Sequence, residues 1–167
     1  DVLLGPEMKS TGEVMGLDTN FGRAFAKSQI ATGIMLPLKG NIFISVKDKD
    51  KLFLKTICKR LVKLGFNLVC TKGTGNYLKK AKIKVSFVNK VIEGRPHIVD
   101  LIKNKEIALI FNTTEGNLSI SDSFSLRQAA LYTNVPYYTT ISGCNAVLLA
   151  LENLSRKKLN IKSLQSY

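Results

Sequence analysis

From Asn41 onward, short apolar runs alternate with longer stretches of helical period. Asn41 to Val46 (NIFISV), Phe66 to Cys70 (FNLVC), Ile83 to Val88, Ile107 to Phe111 and Val135 to Tyr138 read as strands. Between and after them five helices are predicted: Lys49 to Leu64, Thr74 to Lys80, about Pro96 to Asn104, Asp122 to Tyr132, and Gly143 to Leu154. In the first of these, Leu54, Ile57, Cys58, Leu61 and Val62 follow the 3.6-residue period, and Gly65 closes it. In the fourth, Phe124, Leu126, Ala129, Ala130 and Leu131 supply the apolar positions. Pro96 suits the first turn of the third.

Strands that alternate with helices imply a doubly wound α/β fold with a five-stranded parallel sheet. Right-handed crossovers leave few topologies, and the Rossmann-like order 3-2-1-4-5 fits this one. That order sets the carboxyl ends of strands 3, 2, 1 and 4 side by side, at the topological switch point where such folds bind ligands. The pattern is weaker over residues 1–39. There, Gly22 to Ile30 reads as a short helix with Phe25 and Ala26 inward, and Thr32 to Lys39 as a linker. The expected division is therefore a 1–39 segment that ends a preceding domain, followed by a 40–167 domain. Ser155 to Tyr167 is polar and basic, with Leu159, Ile161 and Leu164 as candidate anchors.

The strand ends carry similar chemistry. Phe66 to Cys70 stops at Thr71-Lys72-Gly73-Thr74, Phe87-Val88 runs into Asn89-Lys90, and the fourth strand runs into Asn112-Thr113-Thr114. Lys51 lies near the end of the first strand, at the head of a stripe it forms with Lys55, Lys59 and Lys63. Lys51, Thr71, Gly73, Thr74, Lys90, Asn112, Thr113 and Thr114 would converge on one crevice. Hydroxyls, lysines and close-approaching backbone N–H groups suit an oxyanion, and a phosphate best. Each bond to a charged partner contributes roughly 1.5–3 kcal/mol. Single members of the set also fit a bland role, since Thr and Asn end strands and cap helices.

Catalytic constellations are weak. His97 is the single histidine, so no His-rich metal cluster or Cys/His pair is suggested. Asp48 and Asp50 read as a cap and a solvated charge, and Glu93 and Asp100 are the other acids near the strand ends. Neither GxGxxG nor GxxxxGK[ST] occurs.

At 167 residues the chain can bury roughly 70% of its unfolded surface without staples. Cys58, Cys70 and Cys144 form no CxxC and read as buried reduced thiols of a cytoplasmic protein. No apolar run is long enough to span a membrane. The net charge of +13 admits a polyanion-binding protein or a lysine-rich surface set by genome composition. Aromatics do not interleave with the basic residues, which weighs against a nucleic-acid-binding module.

Thr71-Lys72-Gly73-Thr74, Val88 to Val91 (VNKV), Glu93 to Ile98 (EGRPHI), Asn112 to Gly116 (NTTEG) and Thr139-Thr140 together resemble the regulatory domain of carbamoyl-phosphate synthase large subunits. Leu3 to Gly16 (LLGPEMKSTGEVMG) is similar to the end of that subunit's second ATP-grasp unit. The resemblance implies a methylglyoxal-synthase-like fold and a regulatory, non-catalytic part of a glutamine-hydrolysing ligase. The whole subunit would use ATP with Mg or Mn, and K as a further cation; no cofactor is expected on residues 1–167. It would make carbamoyl phosphate from bicarbonate and ammonia for arginine and pyrimidine synthesis, with a small glutaminase subunit supplying the ammonia. This domain would bind UMP or IMP and ornithine, and would take part in homo-oligomers.

By position, the resemblance assigns nucleotide-phosphate contacts to Lys51, Thr71, Thr74, Lys90, Asn112, Thr113 and Thr114, and an ornithine contact to Thr139. Two positions depart from the family pattern. Lys72 stands where the family commonly has His. Tyr138 stands where it often has an acid that would pair with the ornithine amine. The catalytic carboxylates of true methylglyoxal synthases are lacking, which weighs against a free-standing lyase of that type.

Overall fold

A computed structural model describes residues 14–115, 123–156, 159–160 and 162–166. Five strands form one parallel sheet in the order β3-β2-β1-β4-β5. They are β1 (Asn41–Ser45), β2 (Asn67–Cys70), β3 (Ser86–Phe87), β4 (Ile107–Asn112) and β5 (Tyr137–Tyr138). Six α-helices flank them among the described residues: α1 (Phe21–Ala31), α2 (Lys51–Lys63), α3 (Lys72–Lys80), α4 (Ile98–Lys103), α5 (Phe124–Tyr132) and α6 (Ile141–Arg156).

The central strands β1, β2 and β4 are apolar on both faces because helices cover both. Ile42, Ile44, Leu68, Cys70, Leu109 and Phe111 face one cluster with residues of α2, α3 and α6. Phe43, Val69 and Ile110 face the other, with residues of α4 and α5. Register is set by pairs such as Phe43 with Val69 and Ile44 with Phe111, which bring the polar strand ends level.

Several boundaries differ from the sequence reading. The first predicted helix opens with a 3₁₀ turn over Asp48–Asp50 and becomes α-helical at Lys51. The second begins at Lys72, not Thr74, because Thr71 is extended and serves as its N-cap. The third strand pairs only at Ser86–Phe87: Lys82 reverses the chain at φ 58°, and Ile83 N–H closes α3 by donating to Leu78 O. The fifth is shortened in the same way, by Asn134 at φ 54° and Val135 N–H donating to Ala130 O. α6 runs from Ile141 to Arg156, longer than expected at both ends, with Thr140 Oγ1 accepting from Gly143 N–H. Val62, Phe124 and Leu131 are exposed at 43%, 51% and 56%, at the margins of the apolar stripes where the period placed them inward.

α1 packs along α6, with Ala26 buried and Phe25 against the larger core cluster. Asn20 caps α1, and Asp18 binds Arg23 and Lys27 across its first two turns. Leu159 is half-buried, while Leu3 to Glu13, Asp122 and Ile161 lie outside the described residues.

Candidate functional site

A crevice of about 420 Å³ opens at the carboxyl ends of the strands. Lys51, Thr71, Gly73, Thr74, Lys90, Asn112, Thr113 and Thr114 all line it. Phe43, Val91, Ile98 and Leu126 form apolar wall between the polar groups.

The hydroxyls are set by backbone. Val46 N–H donates to Thr74 Oγ1 and Lys47 N–H donates to Thr113 Oγ1, each at 3.1 Å. Thr113 N–H returns to Ser45 O at 3.1 Å. Each threonine oxygen thus accepts from the chain leaving β1, and its hydroxyl hydrogen is left to donate to a ligand. Ser45 Oγ and Thr71 Oγ1 lie 3.1 Å apart. Thr71, Thr74, Asn112 and Thr113 are buried, so their polar atoms are pre-oriented.

Gly73 lies in the first turn of α3, where Gly75 N–H makes a helical bond to Thr71 O at 2.8 Å. The N–H groups of Lys72, Gly73 and Thr74 therefore precede the helical ladder and carry the positive end of its dipole. A Cβ on Gly73 would stand 3.7 Å from Lys51 Nζ, so the ammonium is close to this turn. Lys51 is bound to Asp48 at 2.6 Å, and an anion would draw on a cation already shared. Lys55, Lys59, Lys63 and Lys72 are exposed.

Among the described residues, the carboxylates lining the crevice are those of Asp48 and Glu115. Hydrogen bonds from Lys51 and Lys49 respectively hold both below the ordinary carboxylate range, which makes them weak bases. His97 is buried as the N-cap of α4, with Nδ1 3.1 Å from Asp100, and does not line the crevice.

Thr139 is not among the lining residues; it follows β5 and precedes α6. Beside it, Tyr138 Oη donates to Gln29 Oε1 at 2.8 Å and its ring packs edge-on against Phe111. Burial pushes the Tyr138 phenol up, so it stays protonated as a donor to α1.

Sequence reasoning missed Ser45, Ser123, Arg127 and Tyr137. Asn112 Nδ2 donates to Ser123 Oγ at 3.1 Å and to Tyr137 Oη at 2.6 Å. Arg127 Nη2 donates to Thr114 Oγ1 at 3.3 Å. Ser45 ends β1 with the same hydroxyl chemistry as its neighbours, a signal present in the local sequence. Arg127 sits inside a helix and carries no local signal. Among the described residues, no group of three or more His, Cys, Asp or Glu side chains could hold a metal, and no helix is long and apolar enough to cross a membrane.

A family model described as "MGS-like domain" matches residues 54–139, which run from α2 through all the later strands to the end of β5. The chain belongs to the MGS-like domain family. Over its whole length it is 50% identical to the carbamoyl phosphate synthase large chain of Mesorhizobium japonicum and 52% identical to that of Myxococcus xanthus. Against the large chain of Xanthomonas campestris it is 53% identical over 91% of its length. The MGS-like chain spans only 14%, 15% and 14% of these relatives. Among solved structures it shares its fold with a methylglyoxal synthase from Elizabethkingia anophelis, at TM-score 0.56 and 16% identity, over 68% of this chain and 79% of that one.

Proposed function

We propose that this MGS-like domain is the regulatory end of a carbamoyl phosphate synthase large chain and that its crevice binds the phosphate of a nucleoside monophosphate, UMP or IMP. The observation that carries the reading is the convergence of Thr71, Thr74, Thr113 and Thr114, the α3 N-terminus, Lys51 and Lys90 on one apolar-walled crevice. Hydroxyl hydrogens and backbone N–H groups there face a volume suited to a phosphate with an organic body. Asp48 and Glu115, the lining carboxylates among the described residues, are held ionised by lysines, which disfavours the proton abstraction that a lyase of the methylglyoxal-synthase type needs.

In this reading the domain itself is non-catalytic. Effector binding biases the attached synthetase units, which use ATP and metal ions to make carbamoyl phosphate from bicarbonate and ammonia released by a glutaminase subunit. A differential affinity of about 1–3 kcal/mol between two states is enough for such control. Ornithine at Thr139 and self-association through this domain are further parts of the proposal. Tyr138, turned toward Gln29, offers an ornithine amine no carboxylate.

The test is calorimetric titration of the chain with UMP and IMP at moderate salt, alongside Lys90→Ala and Thr74→Ala. Saturable 1:1 binding that both substitutions weaken, with thermal unfolding still cooperative, is expected. A folded chain that takes up neither nucleotide overturns the reading.

A further inference from the structure

Asn112 and Thr114 line the crevice, yet both are held from outside it. Asn112 Nδ2 reaches Tyr137 Oη at 2.6 Å, and Arg127 Nη2 reaches Thr114 Oγ1 at 3.3 Å. The positive charge of Arg127 also acts on the Tyr137 phenol and favours its ionised form, against the larger effect of burial. Two hydrogen-bonded pairs, Arg127 with Thr114 and Tyr137 with Asn112, thus join β4 and the loop after it to α5 and β5. Arg127 and Tyr137 do not line the crevice; both border a second hollow of about 240 Å³.

We propose that Arg127 and Tyr137 are positioning residues of the crevice, and that Arg127 acts on a bound anion through the Thr114 hydroxyl. The inference rests on the reading of the crevice as a phosphate site. Thr114 Oγ1 accepts from a guanidinium, so its own O–H is polarised and becomes a stronger donor to an anion. The same bond fixes the rotation of Thr114, which follows the strand and is only half-buried. Tyr137 performs the matching task for Asn112. With both Nδ2 hydrogens directed at Ser123 and Tyr137, the amide is a brace that keeps the β4 end rigid. Burial raises the Tyr137 phenol above its ordinary value, so it is protonated at neutral pH and can accept from Asn112 while keeping its hydrogen.

Both side chains border open space, so shortened variants are expected to fold. The experiment compares UMP and IMP affinity for the wild-type chain, Arg127→Met, Arg127→Lys, Thr114→Val, the Arg127→Met/Thr114→Val pair, Tyr137→Phe and Thr74→Ala, with thermal midpoints for each. Arg127→Met is expected to weaken binding roughly five- to tenfold, and the double variant to bind no more weakly than Thr114→Val alone. Arg127→Lys retains a donor and a charge and should recover most of the loss. Tyr137→Phe is expected to shift the Asn112 side-chain amide resonances and to weaken binding. A purely structural Arg127 would lower stability without coupling to Thr114. Arg127→Met affinity within about twofold of wild type, or strict additivity in the cycle, overturns the proposal while the Thr74→Ala loss leaves the phosphate site standing. Absence of binding to the folded wild-type chain overturns both.

Discussion

Val46 N–H donates to Thr74 Oγ1 at 3.1 Å, across 28 residues of sequence. This bond ties the exit of β1 to the first turn of α3 inside a buried environment. Thr74→Val keeps the volume but removes the acceptor, leaving an N–H without a partner at a cost of about 1–3 kcal/mol. Thr74→Ser keeps the oxygen and should lie within about 1 kcal/mol of wild type. Urea unfolding of the two variants separates them; equal destabilisation would mean the hydrogen bond contributes nothing.

Gly22 governs how closely α1 approaches α6. A Cβ there would stand 2.5 Å from Leu149 O, a backbone atom that cannot turn aside. Gly22→Ala should push the helices apart, costing about 1–3 kcal/mol despite the better helix propensity of alanine. The Tyr138–Gln29 bond should weaken with it, read as a change in tyrosine fluorescence.

Arg60 grips Glu152 with two hydrogen bonds, Nε to Oε1 at 2.7 Å and Nη2 to Oε2 at 2.6 Å, joining α2 to α6. The bond from Arg60 holds the Glu152 carboxyl below its ordinary value of 4.5. A depressed folded-state value means the contribution is fully present above about pH 4.5 and is lost as pH falls through the folded value. Glu152→Gln should cost about 1 kcal/mol at pH 7, after allowance for solvent screening, and should flatten the decline in stability below pH 4.5. Parallel declines in the two proteins would show that other carboxylates set the acid response.

Cys58, Cys70 and Cys144 share one core cluster. Burial pushes the Cys70 and Cys144 thiols up to about 12, and Cys58 is raised by the same cause. All three should resist alkylation at pH 8 in the native state and react only on unfolding, as thiolates are the nucleophiles. Fast labelling of the folded chain by iodoacetamide, followed by mass spectrometry, would contradict this.

The strand order was legible because each strand is a short apolar run with its own turn signals, and because parallel crossovers admit few arrangements. The crevice was legible for a related reason: Thr71, Lys90 and Asn112 mark strand ends, and the order alone sets those ends side by side. Strand lengths at the sheet edges were not legible. Ile83 and Val135 are as strand-like as their neighbours, but each N–H is taken by the preceding helix, a competition that composition does not reveal.

Read alone, the sequence determined the alternation of elements, the two-faced burial of the central strands and the hydroxyl- and lysine-rich character of the strand ends. These follow from local period and residue type, which the chain carries wherever it folds. Only the tertiary structure decided which groups those ends would meet. Thr74 and Thr113 accept from backbone of β1, Lys51 shares its charge with Asp48, and Arg127 reaches Thr114 from another element. Each contact depends on how far a helix is shifted and rotated over the sheet, and packing across the whole core sets that shift.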